Sequence, residues 1–91
     1  MKVNLKITGV TPENYYTISG IYKLYETYGI PLDIIVDFFF LRGYIIDLEA
    51  FRQDCILAGM NDKSITIKIE RIVDELKTLI KEKNYSLLHQ R

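Results

Sequence analysis

The segment Pro31–Arg42 constrains the fold more than any other part of the chain. After Pro31-Leu32-Asp33 it reads Ile34-Ile35-Val36-Asp37-Phe38-Phe39-Phe40-Leu41 and ends in Arg42. Proline at a first helical position favours a helix here, and only Asp33, Asp37 and Arg42 mark a wet side. A helix that is apolar nearly all round must be covered all round. Packed on a small core, such a helix hides a stripe little more than about 100° wide. At least two of its large side chains are therefore expected outside the core of a single copy. With 91 residues, 48% of them hydrophobic, the chain is expected to form one domain, 1–91, with enough apolar mass for a core.

Glycines punctuate the flanks of this helix. Gly20–Tyr28 places Ile21, Leu24, Tyr25 and Tyr28 on one helical face, with Ser19 as its cap and Gly29 as a left-handed stop. Beyond Gly43, Tyr44-Ile45-Ile46 reads as a short extended link. Asp47 then caps a third helix, Leu48–Ala58, with Leu48, Phe51, Cys55 and Ala58 inward. A fourth helix is expected from about Lys63 to Lys83. Ile65, Ile67 and Ile69 alternate, so Ser64–Ile69 keeps a minor alternative as a strand. Residues 84–91 are expected to be a loose tail. At the other end, Val3, Leu5 and Ile7 alternate with Lys2, Asn4, Lys6 and Thr8, a short strand pattern that Gly9 breaks. Thr11-Pro12-Glu13 has the chemistry of a brief helical turn. The expected fold is thus mainly α: a small helical domain of three to four helices, with a short N-terminal β-strand as an optional addition.

Chemistry is sparse. Twelve basic and twelve acidic residues cancel, which removes the electrostatic drive for non-specific binding to nucleic acid or anionic lipid. The single cysteine, Cys55, excludes an intrachain disulfide and reads as a small buried hydrophobe; its sole candidate histidine partner is His89, near the end. Phosphate-loop, dinucleotide, zincin and serine-hydrolase patterns are all missing. No catalytic residues, metal ligands, cofactors or small-molecule substrate are expected, and the chain is read as no enzyme. Asp33 and Asp37, four apart, read as the solvent stripe of the second helix rather than an acid pair. Five tyrosines between Tyr15 and Tyr28 offer surfaces for stacking or for a half-buried face. Lys2 and Lys6 interrupt the first apolar stretch, and no apolar run approaches the roughly 20 residues of a membrane span. A cytoplasmic location is expected.

One stretch goes beyond physics. Ser19–Phe51 contains Lys-Leu-Tyr-Glu-Thr-Tyr-Gly-Ile-Pro-Leu-Asp, which resembles part of the helical tRNA-recognition region of alanyl-tRNA synthetases. Lys23, Leu24, Tyr25, Thr27, Tyr28, Gly29, Pro31, Leu32 and Asp33 match in register, and Asp47 and Phe51 follow at the family spacing. Residues 19–60 form the synthetase-like segment. The departures are Glu26 for an aspartate that helps recognise a wobble pair in the acceptor stem, Ile30 for phenylalanine and Ala50 for glycine. The family's catalytic core and editing domain have no counterpart here. The resemblance implies that Lys23, Glu26, Thr27, Gly29 and Pro31 are RNA-binding positions.

Three functions are carried forward. The first is a non-catalytic protein-interaction or regulatory module on the synthetase-like scaffold. Its interface would be Ile34, Val36, Phe38, Phe39 and Phe40, covered by a second copy or another protein. The second is a stand-alone module that binds a tRNA acceptor stem. The third is a helix-turn-helix-like regulator, which the apolar Phe38-Phe39-Phe40 suits poorly.

Overall fold

The structure, a computed structural model, describes residues 4–88. Its elements are β1 (Lys6–Val10), β2 (Tyr16–Ser19), α1 (Tyr22–Glu26), α2 (Leu32–Phe40), β3 (Tyr44–Ile46), α3 (Leu48–Leu57) and α4 (Asp62–Leu88). The chain is mainly helical with a small β part. The four longer helices read from the sequence all form, with α1 shorter than expected. The sheet is larger than one optional strand.

Three strands lie in the order β1-β2-β3, with β1 antiparallel and β3 parallel to β2. Tyr44–Ile46 is therefore a paired strand and not a link. Gly9 lies within β1 and does not break it, because an irregularity between Ile7 and Gly9 absorbs the extra residue. Thr11 starts no helix. Its carbonyl accepts from Asn14 N–H and its N–H donates to Tyr15 O, closing the β1–β2 turn around Asn14 at φ +71°. Ser19 belongs to β2 and does not cap α1, whose start has no side-chain cap. Gly20 at φ +95° lies so close to the neighbouring backbone that a Cβ there would meet Asn4 O.

Gly29, at φ +68°, does end the first helical segment, and Ile30 N–H closes back onto Leu24 O. Pro31 is the residue just before α2, and Leu32 opens it. Asp47 caps α3 as expected by accepting from Ala50 N–H at 3.0 Å. Asn61 caps α4 by accepting from Ser64 N–H at 2.9 Å. From there Ile65 and Ile72 are buried, with Ile69, Leu76 and Leu79 beside them, so Ser64–Ile69 is helix and not strand. The helical period buries these side chains together, which an alternating strand would split between two faces. Residues 84–88 continue α4, so the loose tail expected from Asn84 is corrected over that span. Lys2 and Val3 of the expected strand pattern, and His89, lie outside the described residues.

The core is drawn from nearly every element: Ile18, Ile21, Leu32, Ile35, Val36, Phe39, Ile46, Phe51, Cys55, Ile65 and Ile72. Tyr22 meets the Phe51 ring edge-on at 5.9 Å. Helix α2 occupies the middle, against α4 on one side and β3 on another.

Candidate functional site

Helix α2 divides its apolar residues between two environments. Leu32, Ile35, Val36, Phe39 and Phe40 are buried. Ile34, Phe38 and Leu41 stand 52%, 49% and 78% exposed along the opposite side. Positions 34, 38 and 41 fall on one helical face, so they form a ridge. This corrects the expected interface set. Val36, Phe39 and Phe40 are held by β3, α4 and the Tyr15 ring, which stacks on Phe40 at 5.1 Å. Leu41 was not among the expected interface residues, yet it is the most exposed of the ridge.

Arg42 lies over the Phe38 ring, 3.7 Å from its centroid, and donates to Phe38 O at 2.8 Å. Between the ridge and α1 runs a groove of about 240 Å³, lined by Leu24, Ile30, Ile34, Ile35, Phe38 and Phe39. Its walls carry only apolar side chains. Residues from α1, the Gly29–Pro31 corner and α2 therefore build an apolar slot that the described residues leave open.

The positions singled out by resemblance lie around the same corner. Lys23, Glu26 and Thr27 are exposed and share one face of α1, three and four residues apart. Gly29 and Pro31 are exposed at the turn that follows. Tyr22, Leu24 and Tyr25 face the other way and pack on the core. Tyr22 has its hydroxyl pushed up from its ordinary value, first by burial and then by the charge of Glu26.

Lys23 also lines a polar hollow of about 540 Å³ with Asn4, Lys6, Ser19, Gln53 and Asp54. Sequence reading passed over Lys6, Gln53 and Asp54. The signal that brings Lys6 there is strand pairing, Lys6 opposite Ser19, which sets the lysine beside the start of α1.

A second arrangement also escaped the sequence. Asp37 does not belong to a solvent stripe; it hydrogen-bonds Glu75 across the α2–α4 contact. One oxygen of Asp37 is buried without a partner. The Glu75 carboxyl is pushed up to about 7, chiefly by that hydrogen bond, then by burial and the charges of Asp37, Asp33 and Glu82. The wide separation of Asp37 and Glu75 along the chain hides the pair from a reading of the sequence.

Cys55 is fully buried, and burial pushes its thiol up, the opposite of activation. Among the described residues, no group of three or more His, Cys, Asp or Glu is placed to hold a metal ion. Among them, too, no helix is long and apolar enough to cross a membrane.

Fold and site together define a small, mainly helical module with an apolar slot at the Gly29–Pro31 corner and a polar hollow at the start of α1. Comparison adds a distant relationship for a segment of it. Over 52 residues the chain is 33% identical to alanine–tRNA ligase of Thermus thermophilus, and to the same degree in each of two strains of that organism. The similarity takes in 57% of this chain but only 6% of each ligase. The chain thus spans a small fraction of the length of the curated relatives it matches. No protein-family model and no solved structure matches it.

Proposed function

We propose that the chain is a non-catalytic protein-interaction module built on a synthetase-like helical scaffold. The observation that carries this is the ridge of α2. Ile34, Phe38 and Leu41 project from a helix whose other side is already core, next to a slot with apolar walls. Large apolar side chains grouped in this way mark a surface that another protein covers. Self-association through this ridge and capture of a different chain are the two forms the module takes. Sedimentation at micromolar concentration, with and without Phe38→Glu, tests the reading. A dimer or a copurifying protein that the substitution releases, with the circular dichroism spectrum unchanged, supports it. A clean monomer that binds no dye for apolar surface overturns it.

A second reading has its own support. Lys23, Glu26 and Thr27 share an exposed face, and the relatives' name, alanine–tRNA ligase, joins them to a tRNA. On this reading the α1 face contacts an acceptor stem, with Lys23 on phosphate. Lys23→Ala then weakens duplex binding and lowers the salt slope by about one. No electrophoretic shift at low salt, with either a wobble or a Watson–Crick stem, removes this reading. The helix-turn-helix alternative has no such support, because the solvent side of α2 carries Ile34, Phe38 and Leu41 where a groove-reading helix needs polar groups.

A further inference from the structure

The most open element of the molecule is β1. All five of its residues are exposed, and its substantial packing is against β2 alone. Among the described residues no strand pairs with its other edge, and the hydrogen-bond phase of the sheet shows which groups that edge presents. Tyr16 N–H donates to Gly43 O, and Ile18 O accepts from Asp47 N–H, so Tyr16 and Ile18 turn their main-chain groups toward β3. Thr17 and Ser19 therefore turn theirs toward β1. Ser19 is paired with Lys6 and Ile18 with Ile7. In an antiparallel ladder the alternate residue points its N–H and C=O away from the partner. Ile7, and by the same alternation Leu5, offer theirs to the outside.

The two faces of this edge differ in chemistry. Ile7 lies on the same face as buried Ile18, and Val10 on the same face as Tyr16, because paired residues share a face. The irregularity after Ile7 is what returns Val10 to that side. Leu5, Ile7 and Val10 remain 40%, 56% and 62% exposed there. The opposite face bears Lys6, which lines the polar hollow with Lys23.

We infer that the free edge of β1 docks an extended segment of another protein, with apolar residues flanking an acidic one. Such a strand completes the main-chain bonds of Leu5 and Ile7 and lays its apolar side chains beside theirs. Its acidic residue falls on the face of Lys6. Main-chain pairing supplies affinity in this mode, and alternate side chains supply selectivity. A second copy fits less well. Antiparallel pairing that uses both Leu5 and Ile7 places Leu5 opposite the other copy's Ile7 and Lys6 against its own counterpart. Like charges directly opposite destabilise a strand pair. This surface is distinct from the α2 ridge, so the inference does not rest on what covers that ridge.

Two capped heptapeptides test it, Thr-Thr-Val-Glu-Val-Thr-Thr and the same peptide with Lys for Glu, titrated into isotope-labelled protein. The acidic peptide is expected to shift the amides of Leu5 to Thr8 saturably and to bind about fivefold more tightly than the basic one. Lys6→Glu, at an exposed position, is expected to reverse that preference. Phe38→Glu is expected to leave both results unchanged, which separates this surface from the ridge. Equal binding of the two peptides overturns the inference. So do shifts confined to the α2 groove, the lack of any saturable shift, or self-pairing of β1 in the free protein.

Discussion

Helix α2, with seven apolar residues of nine, and strand β1, with Ile7 and Val10 of five, meet opposite fates. α2 buries five of its nine residues, whereas β1 buries none of its five. Composition accounts for part of the difference. Position accounts for the rest, since α2 lies between α4 and β3 while β1 packs chiefly on β2. A side chain is buried by what lies over it, and in a chain of 91 residues there are too few elements to cover both. The sheet edge is left open and the helix is covered on one side only.

The largest expected effect lies at the covered end of this contrast. Phe39 is in the core, edge-on to Tyr44 at 6.2 Å, and Phe51 is 2% exposed. Truncating either to Ala is expected to cost about 3–5 kcal/mol in urea unfolding. Val36→Glu and Phe40→Glu are likewise expected to unfold the chain, not to dissociate a complex. A loss below about 1 kcal/mol for Phe39→Ala would mean that α2 is not seated as described.

Next comes the joint between the two regions. Gly20 holds φ +95° with Asn4 O where a Cβ would stand. Gly20→Ala therefore forces both an unfavourable backbone conformation and a displacement of the segment leading into β1. About 1–3 kcal/mol is expected. Hydrogen exchange should show the loss first at Lys6 and Ser19, paired across β1 and β2, with α2 amides still protected. If α2 and β1 lose protection together, the two regions are one cooperative unit.

The pH dependence sharpens the comparison from the α2 side. Glu75 takes up a proton at about 7 in the folded chain, against an ordinary value of 4.5. Between those values the folded state holds a proton that the unfolded chain has released. Stability is expected to fall as pH rises through this window and to level off above it. Glu75→Gln should flatten the slope. At β1 the sign is opposite. Thr8 donates to Asp47 at 2.7 Å, and with the Ala50 N–H it holds the Asp47 carboxyl below 3.8. That contribution is lost only as pH falls below the ordinary carboxylate range. A melting profile with no loss between 4.5 and about 7 would break this account of Glu75.

These contrasts explain what the sequence discloses and what it hides. Helix α2 is legible from Pro31 and its apolar run, α3 from the Asp47 cap and its period, and α4 from its period. The exposed ridge was legible in kind, since a stripe cannot hide a whole helix. Which residues form it was not, because rotation depends on α4 and β3, distant in sequence. Tyr44–Ile46 has too few residues to announce a strand, and its partner Tyr16–Ser19 reads equally well as a helix cap. The pairing of Asp37 with Glu75 and the meeting of Lys6 with Lys23 depend on tertiary approach alone. The α1 face was readable from the motif, because Lys23, Glu26 and Thr27 recur at helical spacing.

The smallest expected effect tests the open end of the comparison. Ile7 is 56% exposed, and its side chain has little over it besides β2. Ile7→Thr removes apolar area that water already reaches and keeps a β-branched residue in a strand, where such residues are favoured. Deleting comparable groups from a filled core would cost several times more, because a cavity would remain. At Ile7 nothing closes over the space, so no cavity forms. The change in unfolding free energy is expected to stay within about 0.5 kcal/mol, as for surface positions generally. Urea unfolding at two protein concentrations measures it. A loss above about 1.5 kcal/mol that grows with concentration would show Ile7 covered by another copy, and β1 would then belong with α2 as a buried element.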